Sequence, residues 1–387
     1  MANFPTSGDD VIFGTSAGET IDALGGNDTV FGMGGNDQLF GGEGNDLLNG
    51  GTSNNNLTGG NGFDTAYYAL SIVAMDVNLT RGWGAPLGQG VDNIDWYFGI
   101  ENIEGGAGND ILTGSRGQNF IDGNKGDDLI KGGSGSDALT GGAGSDKLYG
   151  ATQADIIDGG AGDDSVWGGS GADLLSGGSD GEFGDILRYD DSPLGVVIDL
   201  AANFASGGDA EGDRISGFEG IHGSDFGDDL LGNEKANFFW AGDEGDEIEG
   251  RGGGDQLYGW GGGDYIRGGG SSDFIEGGGG RDHLYGGAGD DAFSYRDASD
   301  SGLAVGVRDM IEDFAQGADE IVLFSLLGND GVFIGTEAFA DGVAGQVRYN
   351  IGNGKTIIAI DIDGENGADM RIELAGSFAL TGSDFDL

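Results

Sequence analysis

Aspartate recurs at intervals of nine residues along most of this chain, and a carboxylate at fixed spacing is the main chemistry the sequence offers. Counting in nines from Asp10 leads through Glu19, Asp28, Asp37, Asp46 and Asn55 to Asp64. A second run goes from Asp110 through Asn119, Asp128, Asp137, Asp146, Asp155 and Asp164 to Asp173, with one displaced copy at Asp185. A third goes from Asp228 through Asn237, Asp246, Asp255, Asp264, Asp273 and Asp282 to Asp291. With glycine carbonyls beside them and no Cys in the chain, these aspartates make an oxygen-only donor set. Such a set suits a hard cation, Ca²⁺ above all, which takes six to eight oxygen ligands. The aspartates of the three runs are therefore the candidate metal ligands; Glu19, Asn55, Asn119 and Asn237 depart from the pattern and predict weaker or vacant positions.

The repeating unit that must position them reads GGxGxDxUx, where U is a large apolar residue, as in the two copies within GMGGNDQLFGGEGNDLLNGG at 32–51. The residue two after the acidic position is apolar in all 23 in-phase copies, Ala66 being the smallest, so these units share one buried face. Nine residues cannot enclose a core alone, so the units must stack. The glycine-rich part can take left-handed turns, and the last three residues can form a short strand with U inward. Two units then make a coil of 18 residues, and stacked coils give two parallel sheets, a thin apolar interior and a file of aspartates along each turn edge.

Charge points the same way. Sixty-eight acidic residues against 16 basic ones leave a formal net charge of -52, which excludes a nucleic-acid partner, since phosphate recognition needs a basic surface. At 37% hydrophobic the chain is too apolar for a solvated acidic tail, and the excess carboxylate calls for neutralisation by bound metal. The 88 glycines follow no Gly-X-Y period, so they serve turns rather than a collagen helix. No run approaches the roughly 20 apolar residues of a membrane span. The first thirty residues lack a basic start followed by an apolar run, so no cleavable secretory signal is expected.

The unit resembles the defining motif of the repeats-in-toxin proteins. That resemblance implies a right-handed parallel β-roll, an all-β fold, with Ca²⁺ held between turns by Asp carboxylates and turn carbonyls. It makes Asp28, Asp37, Asp46, Asp128, Asp137, Asp146, Asp246, Asp255, Asp264 and Asp273 the surest ligands, because their neighbours in the file are present. Three repeat blocks are expected, at 1–64, 110–185 and 228–291, separated by inserts at 65–109 and 186–227. The inserts resemble each other: Val77-Asn78-Leu79 matches Ile198-Asp199-Leu200, and Ile100-Glu101-Asn102-Ile103 matches Phe218-Glu219-Gly220-Ile221. Both alternate as extra strands would. From Ala292 onward, Asp309-Met310-Ile311-Glu312-Asp313-Phe314 and Asp361-Ile362-Asp363-Gly364 resemble the C-terminal domain of serralysin-type secreted metalloproteases. This implies that 292–387 is a β-sandwich-like cap carrying an uncleaved signal for a type I secretion apparatus, although Asp386 departs from the usual chain end.

The protease half of that family has no counterpart. There is no His-Glu-x-x-His, and the two histidines, His222 and His283, stand apart. Gly14-Thr15-Ser16-Ala17-Gly18 and Gly177-Gly178-Ser179-Asp180-Gly181 satisfy a hydrolase elbow in letters only, since no strand–turn–helix is expected there. Gly354-Lys355-Thr356 lacks the earlier glycine of a phosphate loop. Asp361, Asp363, Glu365 and Asp369 resemble a calcium loop with misplaced glycines, and mark one extra cation position. Tyr149 with Trp167, and Trp240 with Tyr258, stand 18 residues apart in the outward column and would stack about 4.8 Å apart along one sheet. The expected function is that of a secreted, extracellular, non-catalytic calcium-binding protein with a structural, matrix or surface-interaction role. The alternatives are a polysaccharide-acting enzyme and a carbohydrate-binding adhesin, with an extracellular polysaccharide or cell surface as partner.

Overall fold

In the computed structural model, described residues are 5–87, 93–328, 331–365 and 367–387. The chain is nearly all β, a parallel β-solenoid. It divides into two compact units, one comprising residues up to Leu187 together with Gly212–Phe218, the other Arg188–Glu211 and Glu219–Leu387. Among the described residues no helix is long and apolar enough to cross a membrane.

In the first unit, Val11–Phe13 pairs in parallel with Thr29–Phe31 so that Ile12 stands opposite Val30, one 18-residue coil further on. The strand between them, Thr20–Asp22, pairs with Gln38–Glu43 on the opposite sheet. Successive strands thus alternate between two sheets, and side chains two residues after each aspartate turn inward. Leu39, Leu48, Leu57, Ile130, Leu148 and Ile157 are buried, and so in the second unit are Phe239, Ile248, Leu257 and Ile266. Each such side chain contributes roughly 1.5–3 kcal/mol on burial, and all of it depends on stacking. In the strand Leu129–Ser134 that follows Asp128, Ile130 points in, the pleat turns Lys131 out, and the pairing continues through Gly133 and Ser134.

The insert at 65–109 adds three strands to one sheet and continues the other. Asp95–Phe98 pairs in parallel with Asn55–Asn61, Trp83–Pro86 runs antiparallel to it, and Met75–Asn78 runs antiparallel to Trp83–Pro86 and parallel to Ile111–Thr113. The opposite sheet passes from Thr65–Tyr67 to Asn102–Glu104 to Phe120–Asp122 without a break. In the second unit Val197–Asp199 likewise pairs antiparallel with Phe204–Ser206 and parallel with Asp229–Leu231.

At the C-terminal end of the second unit, Gln346–Gly352, Lys355–Asp361 and Met370–Leu374 form an antiparallel meander. Met370–Leu374 also pairs in parallel with Met310–Ile311, which pairs with His283–Ala288 of the repeats. Phe385–Asp386 adds to Glu320–Val322 on the other sheet. Both sheets of this unit therefore end on non-repeat strands, which cover edges that would otherwise expose unpaired backbone groups.

Candidate metal centres

Glycine takes the left-handed positions of most turns, with residues such as Ser53, Gln153 and Glu244 there in others. Gly126 has φ +114, and a side chain there would meet the backbone of Gly108 in the preceding coil. Gly32 is excluded from carrying a side chain for another reason: a methyl group on it would lie 2.6 Å from Asp37 Oδ2 and 2.7 Å from the Gly50 carbonyl oxygen. A carboxylate oxygen from one turn and a carbonyl oxygen from the next coil thus converge over a bare Cα.

The aspartates are placed by a repeated hydrogen bond. The Asp28 N–H donates to Asp46 Oδ1 at 2.8 Å, that of Asp46 to Asp64 Oδ1 at 2.9 Å, and that of Asp246 to Asp264 Oδ1 at 2.9 Å. Backbone of one coil is thereby tied to side chain of the next. The second oxygen of each carboxylate has no such partner. Oδ2 of Asp28, Asp37, Asp46, Asp64, Asp128, Asp137, Asp146, Asp155, Asp164, Asp246, Asp255, Asp264, Asp273, Asp282 and Asp291 is buried without a hydrogen-bond donor. A buried polar atom left unmatched is costly, and an ionised one more so. The ion pairs of the second unit, such as Arg251–Asp199 and Lys235–Glu219, involve other carboxylates.

The electrostatics register that mismatch. Burial raises the carboxyls of Asp128 and Asp246 to about 8. Burial likewise raises Asp155, Asp164, Asp264, Asp273 and Asp282 to about 7, with backbone donors pulling the other way. Hard divalent cations fit these residues: anionic oxygens in rows, carbonyl oxygens beside them, no nitrogen or sulfur donor, and an unmet need for positive charge.

The first member of each block behaves differently. Asp10 Oδ2 accepts from Thr6 N–H at 2.7 Å and Thr6 Oγ1 at 2.8 Å. Asp110 accepts from Met75 and Gly106 N–H groups, and Asp228 from Val196 and Ser224 N–H groups and the Ser224 hydroxyl. Their oxygens are matched by the chain itself. The asparagines close their own positions too. Asn55 Nδ2 donates to Asp95 Oδ1 at 2.8 Å, Asn237 Nδ2 to the Glu219 carbonyl at 3.0 Å, and Asn119 Nδ2 to the Glu101 carbonyl. An amide N–H₂ group stands where the aspartate positions present only acceptors. Glu19 folds onto Thr15, accepting from its N–H and hydroxyl. Asp173 lies in its file, its N–H donating to Asp213 Oδ1 at 2.8 Å.

Counting in nines reached Asp185 only as a displaced copy and did not reach Asp213, Asp309 or Asp319. Asp164 N–H donates to Asp185 Oδ1, Asp282 N–H to Asp309 Oδ1 at 3.0 Å, and Asp291 N–H to Asp319 Oδ1 at 3.2 Å. Asp309 also has an unmatched Oδ2, and burial and the Asp282 charge push its carboxyl up to about 9. The signal that could have found them is the apolar residue two positions on: Leu187, Ile215, Ile311 and Ile321 keep it although the nine-residue count breaks.

On the outer faces, Tyr149 and Trp167 stack at 4.2 Å between ring centroids and 15° between planes, and Trp167 is only 8% exposed. Their faces cover each other rather than forming a platform. In the second unit Trp240 and Tyr258 stand parallel at 6.0 Å beside a cavity of about 350 Å³ lined also by Trp260, Glu276, Arg296 and Asp300.

Parallel coils with carboxylates repeated in files along their turn edges define a repeat solenoid of the metal-binding class. The family model for the RTX calcium-binding nonapeptide repeat matches in overlapping copies over residues 6–66, 98–181 and 222–300, more than half the chain, and the protein belongs to that family. It is also similar to the solution structure of the AlgE6R3 subunit from the Azotobacter vinelandii mannuronan C5-epimerase, at 27% identity over 41% of this chain and 78% of that one, with a TM-score of 0.24. The AlgE6R2 subunit of the same enzyme is 25% identical over 40% of this chain and 91% of its own, with a TM-score of 0.24. No curated protein matches the chain.

Proposed function

We propose that this protein is a secreted, calcium-loaded β-roll without a catalytic role of its own, acting outside the cell as a structural, matrix or surface-interaction component. The carrying observation is the buried, donorless carboxylate oxygen repeated from coil to coil. Asp28, Asp37, Asp46, Asp64, Asp128, Asp137, Asp146, Asp155, Asp164, Asp246, Asp255, Asp264, Asp273, Asp282 and Asp291 would hold Ca²⁺ with turn carbonyls. The ion would supply the countercharge that lets these files be buried while ionised. Asp173 extends this set, and Asp10, Asp110 and Asp228 open each block. Where calcium is scarce, repulsion along the files favours the unfolded chain, the form suited to export; millimolar calcium outside favours the coil. The serralysin-like residues at 309–314 and 361–364 support a C-terminal domain recognised by a type I secretion apparatus. A non-catalytic reading is supported by the separation of the histidines, His283 being paired with Glu312 and His222 lying against Trp240.

The test is circular dichroism at pH 8 with and without a chelator. Strand signal is expected to be lost in chelator and regained with Ca²⁺; full native signal without metal would overturn the reading. A carbohydrate-binding role is the second reading, favoured by the parallel Trp240 and Tyr258 rings beside their cavity, and a glycan array in calcium tests it.

A further inference from the structure

We infer that Asp361, Asp363 and Asp369, beside the facing ends of Lys355–Asp361 and Met370–Leu374 and outside the nonapeptide repeats, are the ligands of a separate calcium site. One oxygen from each of the three carboxylates lies within 4.8 Å of the other two. Three negative groups at that separation point to a shared cation, and the oxygen-only set with irregular spacing fits Ca²⁺ better than Mg²⁺, which demands near-octahedral geometry. An independent feature points the same way. Asp361 is fully buried, yet its Oδ2 has no hydrogen-bond partner.

The backbone holds these groups ready. Asp361 ends the strand Lys355–Asp361 and Asp369 precedes Met370–Leu374, and the two strands are antiparallel with Ile360 opposite Met370. The Asp369 N–H donates to the Ile360 carbonyl at 2.8 Å, which closes the hairpin neck. Within the site, Asp361 Oδ1 accepts from Gly364 N–H at 2.7 Å, Asp363 Oδ1 from Glu365 N–H at 2.8 Å, and Asp369 Oδ2 from Ile362 N–H at 2.7 Å. Each carboxylate is thus oriented through one oxygen. Gly364, at φ +79, packs so closely on the backbone of Val343 and Ala344 that a side chain would not fit, and Gly342 N–H donates to its carbonyl at 2.9 Å. The site is anchored from outside as well as across its neck.

This site has no nonapeptide and stands independently of the repeat files. The experiment compares the full-length protein in saturating calcium with Asp361→Asn and Asp363→Asn, using native mass spectrometry to count bound Ca²⁺ and hydrogen exchange to read local order. Asp363 is exposed, so its substitution leaves the packing intact even where Asp361→Asn impairs folding. We expect each folded variant to hold one Ca²⁺ fewer than the parent, and exchange in the peptide spanning 355–370 to quicken about tenfold or more while the repeat blocks keep their protection. An unchanged ion count with unchanged exchange in Asp363→Asn overturns the site. Asp264→Ala separates the two readings: it should lower the count through the repeats without altering the 355–370 peptide. If Asp264→Ala keeps the full count while Asp363→Asn loses one ion, the repeat reading fails and the hairpin site stands.

Discussion

Asp264→Asn should change sign with calcium. The Asp264 side chain is buried, its Oδ2 has no hydrogen-bond donor, and burial lifts its carboxyl from 3.8 to about 7. A raised folded-state pKa means that the ionised form is disfavoured by folding: the penalty is absent below about pH 4 and complete above about pH 7. At pH 8 it amounts to on the order of 4 kcal/mol. Asparagine removes that charge and keeps the acceptor for the Asp246 N–H, as Asn55 does for Asp37 at 2.9 Å. Its amide N–H₂ can donate to turn carbonyls, as that of Asn55 does to Ser53 at 3.2 Å, for a further ~1 kcal/mol. In calcium the same substitution deletes an anionic ligand, so the balance reverses. The assay is a trimethylamine N-oxide titration in chelator, where the variant should fold at lower osmolyte, paired with urea unfolding in saturating calcium, where its midpoint should fall. A variant destabilised under both conditions would refute the description of Asp264 as an uncompensated buried charge.

The pH dependence of the metal-free protein follows from the same groups. With Asp128 and Asp246 near 8 and five further file carboxyls near 7, folding without metal should be favoured at pH 5 and lost as pH rises through 7 to 8, and circular dichroism in chelator would reveal no such recovery if the argument fails. Ile266→Asp places a charge in the apolar interior, and should disrupt the third block at every calcium concentration, by several kcal/mol; rescue by added calcium would show that Ile266 does not face the core. Deleting residues from 292 onward should abolish export through the type I apparatus and expose the strands His283–Ala288 and Phe274–Glu276, which pair with residues beyond that point; continued appearance of the truncated protein in the medium would place the signal elsewhere.

What the sequence determined by itself is the solenoid and its polarity. A nine-residue period with an apolar residue two after each aspartate leaves one arrangement that buries Val30, Leu48 and Ile266 while aligning Asp28, Asp46 and Asp264, because β pleating fixes which neighbours share a face. Which carboxylates are left needing a cation was a tertiary matter. Asp110, Asp128 and Asp228 are equivalent in the motif, yet Met75 and Gly106 satisfy the first, Val196 and Ser224 the last, and only Asp128 keeps a donorless oxygen. The donors reach Asp110 from residues 35 and 4 positions away, and no local pattern announces the distant one. The same holds for Asp309, whose place in the file with Asp282 depends on a strand pairing 27 residues distant rather than 18. Trp167 was legible as outward-facing, but its near-complete burial against Tyr149 depends on ring geometry between coils. Period and polarity are local properties of a stacked unit; satisfaction of a buried oxygen depends on every chain that arrives beside it.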